Sequence, residues 1–289
     1  MKYLSFSSCL VIISALILES SYSAVFSAGS MAENLAQTRK STGLEAVLPD
    51  ADKFEVAQYV PPKGIGAPPI TVGGSTRTGA IRTGATRTPA DKCDGETQNS
   101  YPFLTGLIPN LDPNDTNDNW GLTIEEKPQF FVYLPPAEAR NAEFVVRDED
   151  GNDVYRTKLS IAGKSGIIGL KLPENSASLK TERNYSWYFT VFCNEKNRRR
   201  NIVVAGGIRR VELAGNLANE LQRAAERDRY QVYAKNGIWY DAVTALAELR
   251  QENPDDTALA EQWKKLLESA GLQEIEDSPI NSTALETSP

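Results

Sequence analysis

A chain of 289 residues with 31 basic and 38 acidic side chains carries a formal charge of −7, and it contains no histidine. Ser-His and Cys-His nucleophile pairs and His-ligated metals are thereby excluded, because each needs an imidazole. The acidic balance argues against non-specific nucleic-acid binding, and an apolar share of 40% predicts folded sequence diluted by polar tails.

Residues 1–28 read as a secretory signal. Lys2 precedes an apolar centre from Leu10 to Leu18, and the small residues that follow place cleavage between residues 23 and 28. The apolar centre is shorter than the roughly 20 residues that span a bilayer, so no membrane span is expected after cleavage. Cys9 leaves with the signal. Cys93 and Cys193 remain, an even number in an oxidising compartment without a CxxC pair. A disulfide is the simplest reading, and two separate buried thiols are the competing one.

Residues 29–92 are expected to be a disordered linker, since positions 61–90 hold five Pro and six Gly. Within them Arg77-Thr78-Gly79-Ala80, Arg82-Thr83-Gly84-Ala85 and Arg87-Thr88 repeat every five residues. These cations read first as a solvated spacer and second as a contact for anionic envelope polymer.

Residues 93–213 carry short alternating apolar runs separated by turn signals, the pattern of strands. They are expected at Trp120–Ile124, Gln129–Leu134, Ala142–Asp148, Asp153–Ser160, Ile167–Leu172, Tyr185–Cys193 and Ile202–Leu213. Asp150-Gly151 supplies a tight hairpin between the third and fourth. Seven strands in this length fit an immunoglobulin- or fibronectin-like sandwich, so the fold class is α+β. Leu179 lies six residues before Tyr185, which opens a strand, and this spacing resembles the tyrosine corner of such sandwiches. Trp187 and Phe189 share the parity of Tyr185, so all three are expected to face inward.

Residues 214–275 switch to a helical period. One stripe is Leu213, Leu217, Leu221 and Ala224; a second is Trp239, Val243, Leu246 and Leu249; a third is Leu259, Trp263, Leu266 and Ala270. Gly271 is placed as a C-terminal cap. The stretch from Gly237 through Trp239, Ala242 and Leu246 to Pro254 is similar to the second helix of a tetratricopeptide repeat. One such unit predicts a helical hairpin packed on the sandwich rather than a peptide-binding array. Residues 276–289 are expected to be a disordered tail.

Few constellations carry chemistry. From Asp112 to Glu126, oxygen ligands alternate as in a calcium loop, but Trp120 stands where the sharp turn needs Gly; an Asx-rich turn is favoured and no metal site is assigned. Asp148, Glu149, Asp150 and Asp153 read as solvated turn charges. Arg198, Arg199 and Arg200 lie between the last two strands, at a sandwich end where binding loops sit, and are candidate interaction residues. Trp263, with Tyr233 and Tyr240, is a candidate interaction residue of the helical region. No nucleotide- or cofactor-binding motif and no nucleophile elbow occurs, so no catalytic or cofactor residue is assigned.

Gly121-Leu122-Thr123, the run Pro128 to Pro135, Ala142 to Val146 with Val154 and Tyr155, Tyr185 to Phe189, and Asn236 to Ala242 together resemble a cyanobacterial exported family known as domain of unknown function 928. The resemblance spans about residues 93–275. It implies a signal peptide, a Gly- and Arg-rich approach to the first Cys, and cysteines at positions 93 and 193, and it brings no activity with it.

The expected function is that of an exported, non-enzymatic binding or scaffold protein of the periplasm or cell exterior, contacting an envelope protein or polymer. The alternative is an envelope polysaccharide hydrolase working with carboxylates alone, which would need two acids facing each other across a cleft.

Overall fold

A computed structural model describes residues 57–62, 81–83, 93, 102–109, 120–136, 139–193 and 201–281. All of them fall within the unit Glu55–Pro289. The expected signal at residues 1–28, the rest of the Arg-Thr repeat, residues 110–119 and Arg198, Arg199 and Arg200 lie outside the described residues.

The strands are β1 (Ile81–Thr83), β2 (Thr105–Gly106), β3 (Trp120–Thr123), β4 (Gln129–Leu134), β5 (Asn141–Asp148), β6 (Asp153–Ser160), β7 (Gly166–Lys171), β8 (Asn184–Val191), β9 (Ile202–Arg210) and β10 (Ile280–Asn281). They form two sheets. In the larger, β9, β8, β5 and β6 are neighbours in that order, and both β1 and β3 lie along the free edge of β9. β1 pairs parallel with Val203–Ala205 and β3 parallel with Gly207–Arg210, one after the other. The smaller sheet runs β10-β7-β4-β2, with β10 parallel to β7.

Alternation sets which residues enter the space between the sheets. Phe144 and Val146 on β5, Trp187 and Phe189 on β8 and Phe130 on β4 are at most 1% exposed. Phe130 meets Phe144 at 5.1 Å and Trp187 at 5.9 Å between ring centroids. Each such fully buried ring contributes about 2–3 kcal/mol by loss of water contact. The backbone makes room for the indole: a Cβ on Gly206 would lie 2.8 Å from Ile108 and from Trp187. The β5–β6 turn forms where expected, with Gly151 at φ 83° and Asp148 Oδ1 accepting the Asp150 and Asn152 N–H groups at 3.0 and 2.8 Å. Cys93 and Cys193 are joined in a disulfide across a sequence separation of 100.

Four helices follow: α1 (Gly215–Arg223), α2 (Arg229–Lys235), α3 (Trp239–Glu252) and α4 (Thr257–Ser269). Asp256 caps α4, accepting the Ala258 and Leu259 N–H groups at 2.9 and 3.1 Å. Gly271 at φ 74° ends it, with Leu272 N–H bonded to Leu267 O and Gly271 N–H to Glu268 O, the paired bonds of a Schellman motif.

Several boundaries differ from the sequence expectation. The helical region is larger than a hairpin. The last long strand stops at Arg210, where Arg210 turns its guanidinium to the Leu179 carbonyl at 2.7 Å; Leu213 is 47% exposed and contributes nothing to a stripe. Order extends past residue 276, because Pro279 O and β10 bond the edge of β7. Part of the expected linker is also structured. Beyond β1, residues 57–62 lie as an extended strap on the helices: Ala57 N–H bonds Gln262 Oε1 at 2.8 Å, Tyr59 N–H bonds Ser269 Oγ at 2.9 Å and Val60 N–H bonds Ala234 O at 3.0 Å. The Tyr59 ring meets Trp239 edge-on at 5.0 Å. The prolines that suggested disorder are tolerated here because an extended strap forms no internal ladder.

Candidate functional site

The first turn of α3 joins the helices to the two sheets. Trp239 and Tyr240 are fully or almost fully buried, and their polar atoms reach across to the sheets. Trp239 Nε1 donates to Leu107 O at 2.9 Å, and Tyr240 Oη donates to Gly207 O at 2.9 Å while accepting from Trp187 Nε1 at 2.7 Å. Gly121 on β3 permits the approach, since a Cβ there would lie 2.8 Å from Trp239 Cβ. One continuous apolar core therefore includes β4, β5, β8, α3, α4 and the strap.

Asp241, the next residue, faces a cleft of about 280 Å³ lined by Thr123, Glu125, Lys127, Lys171, Tyr233 and Glu248, among others. The cleft lies where the β3–β4 turn and the end of β7 meet α3. Asp241 is 6% exposed. Its Oδ1 accepts the Ile124 N–H at a long 3.4 Å and its carboxyl is hydrogen-bonded by the Thr123 side chain. Its Oδ2 is buried with no hydrogen-bond partner.

Burial pushes the Asp241 carboxyl up to about 7; the Thr123 hydrogen bond opposes this and the charge of Glu125 adds to it. Desolvation raises Tyr233, with the charges of Asp241 and Glu125 acting in the same direction. Desolvation also raises Glu248, against the pull of Lys171. Asp241 and Glu248 thus both feel Glu125 around one opening, and Asp241 changes charge near neutrality. Such a group can present either a proton or a negative charge to whatever occupies the cleft.

The residues singled out from sequence are distributed differently. Tyr185 opens β8, is 5% exposed, and its hydroxyl accepts the Lys180 N–H at 2.8 Å; Leu179 beside it is fully buried. Asp148 is held below the usual carboxylate range by hydrogen bonds from Asn152. Asp153 is held low as well, where desolvation is outweighed by bonds from Arg156 and Arg147. Both are therefore ionised turn charges.

Trp263 and Tyr240 correct the expected interaction surface. Both are core residues, at 0% and 2% exposure. Trp263 points between the helices with the Arg250 guanidinium 5.4 Å from its ring centroid, because α4 needs its whole apolar stripe to close against α3. Tyr233 and the buried Tyr240 line the cleft, and Trp263 does not.

Thr123, Glu125, Asp241 and Glu248 were not singled out from sequence. Thr123 and Asp241 nevertheless fall within the segments that carry the family resemblance. The physical signal was an acid inside the otherwise apolar run from Ile238 to Val243, where burying a charge demands a reason.

A chain with two sheets followed by helices, and a cleft at their junction, defines a mixed α+β module. The family described as Domain of Unknown Function (DUF928) matches residues 82–280, and the chain belongs to it. A comparison with curated proteins finds no significant match. Among the described residues, no helix is long and apolar enough to cross a membrane.

Proposed function

We propose that the protein is an exported, non-enzymatic binding or scaffold module of a cyanobacterial cell envelope, and that the cleft around Asp241 is where it holds its ligand. The observation that carries this reading is that Asp241, a residue lining the cleft, holds a buried Oδ2 with no hydrogen-bond partner. A lone buried acceptor costs about 1–3 kcal/mol, and a ligand donor would recover it. The disulfide suits the oxidising compartment to which the N-terminal signal directs the chain.

We read the sandwich as immunoglobulin-like. Support comes from the strand order, with one sheet of edge strand, β9, β8, β5 and β6 facing another of β2, β4 and β7. The Tyr185 hydroxyl bonded just upstream of its strand adds to it. The α2–α3 pair, turned at Gly237, is read as a single tetratricopeptide-like unit serving as a brace.

Co-sedimentation of the mature protein with isolated envelope material, alongside Ala245→Trp to fill the cleft without altering its charges, tests the proposal. Retention that the variant loses, with no product by mass spectrometry, supports a binding module; equal retention by both proteins refutes the cleft as the site. A specific observation favours the carboxylate-only hydrolase as a second reading: a high-pKa acid shares the cleft with Glu125 and Glu248. Released oligosaccharide in the same experiment would establish it.

A further inference from the structure

The charges around the cleft do not balance. From the β3–β4 turn come Glu125 and Lys127, from β7 Lys171, from α2 the Tyr233 hydroxyl, and from α3 Asp241 and Glu248. Lys127 is engaged elsewhere: its Nζ lies 3.0 Å from Glu174 Oε2 and also donates to the Glu174 carbonyl. Lys171 acts on Glu248 and Glu174. Among the described residues, no cation is ion-paired with Asp241 or Glu125.

A multivalent metal is a poor guest for this arrangement, because among the described residues no three acids approach closely enough to hold one. What the cleft lacks is a small donor carrying one positive charge. An ammonium group has three N–H donors and no acceptor. It matches a site where the lining residue Asp241 carries a buried oxygen, Oδ2, that accepts nothing. The space of about 280 Å³ admits a short alkyl amine and excludes a folded peptide. Tyr233 and Ala245 line the same opening, giving the carbon chain an apolar surface and the cation a ring to approach.

We propose that the cleft binds a primary ammonium group, with Asp241 Oδ2 as its innermost acceptor and Glu125 and Glu248 closing over it at the rim. This names the ligand chemistry of the binding site described above and rests on that reading. The group can belong to a free diamine or to an amine carried on a glycan.

The binding is linked to protons. At pH 7 about half of a group titrating near 7 is protonated, so an ammonium guest displaces about half a proton from Asp241. Desolvation raises Tyr233 and Tyr240 further above the range concerned, and Glu125 and Glu248 line the cleft as acids that favour the same guest. Between pH 6 and 8 the ionised fraction of Asp241 rises about tenfold, and the affinity should rise with it.

Calorimetric titration of the mature protein with putrescine at pH 6, 7 and 8, in two buffers of different ionisation enthalpy, reads both effects; 1,4-butanediol is the neutral control. A chitosan oligomer at pH 6 is the glycan-borne arm, and the arm that binds identifies the source. The expected results are saturable binding of an amine, no binding of the diol, and proton release at pH 7. Putrescine affinity should rise about tenfold from pH 6 to 8. Asp241→Asn should abolish this pH dependence and Glu248→Gln, on an exposed side chain that does not endanger folding, should weaken binding at least threefold. Failure of both amines at 10 mM, binding of the diol as tightly as the amine, or putrescine binding indifferent to pH and to Glu248→Gln would overturn the inference. If the amines fail while envelope retention remains sensitive to Ala245→Trp, the ammonium assignment falls and the binding site stands.

Discussion

Removing one oxygen, by Tyr240→Phe, separates two pictures of the helices: an appended module or part of one core with the sheets. In the wild type the Tyr240 hydroxyl both accepts from Trp187 Nε1 at 2.7 Å and donates to Gly207 O at 2.9 Å. The phenylalanine ring fits the same space against Phe130, whose centroid is 5.5 Å away, so no cavity forms. The loss is confined to hydrogen bonds, and two buried groups on β8 and β9 are left without a partner. At about 1–3 kcal/mol for each unsatisfied buried group, the expected destabilisation is about 2–6 kcal/mol. Urea unfolding followed by far-ultraviolet circular dichroism and by tryptophan fluorescence checks it: the midpoint should fall, the slope should hold, and the two probes should move together. A change below about 0.5 kcal/mol, or a fluorescence transition that shifts while the sheet signal does not, would show that α3 is not part of the cooperative core.

The other consequences follow from single contacts. Tyr185→Phe strands the Lys180 N–H and should cost roughly 1–3 kcal/mol at the urea midpoint; a shift within error would deny the hydroxyl a structural role. Reducing the Cys93–Cys193 bridge, which spans 100 residues, should lower stability by about 4–5 kcal/mol on the chain-entropy argument, and equal midpoints with and without reductant would contradict it. Asp241 has a folded-state pKa above its unfolded value, so the folded protein holds the proton more tightly. The stabilisation this provides is complete below about pH 4 and is lost as pH rises through about 7. Asp241→Asn never ionises, and should therefore gain on the wild type between pH 4 and 8 by on the order of a few kcal/mol; parallel stability curves would refute the burial of that charge.

The seven longer strands were readable because each is a run rich in aromatic and branched residues between turn signals, and β4, β6 and the start of β9 fall where those runs place them. β1, β2 and β10 are two or three residues long, too short for any period, and exist only because a neighbouring edge offers unpaired backbone groups. The strap at 57–62 was hidden by its prolines: composition reports the absence of internal structure but not docking to α3 and α4. Trp263 was misplaced for a related reason. An amphipathic stripe shows which face of α4 is apolar, and only the position of α3 shows that the whole stripe is covered. The cleft was least legible, since Thr123 with Glu125, Lys171, and Asp241 come from three separate segments brought together by the pairing of β3 with β9, the pairing of β4 with β7 and the docking of α3.

The most direct test of a binding cleft built around a buried acid is the titration of Asp241 itself, read from the side-chain carboxyl carbon shift by nuclear magnetic resonance in the ligand-free protein and assigned with Asp241→Asn. A midpoint near 7, well above the exposed carboxylates of the β5–β6 turn, is the predicted result. A midpoint below about 4, the ordinary value for a solvated aspartate, would mean that water reaches Oδ2 freely and that no such site exists.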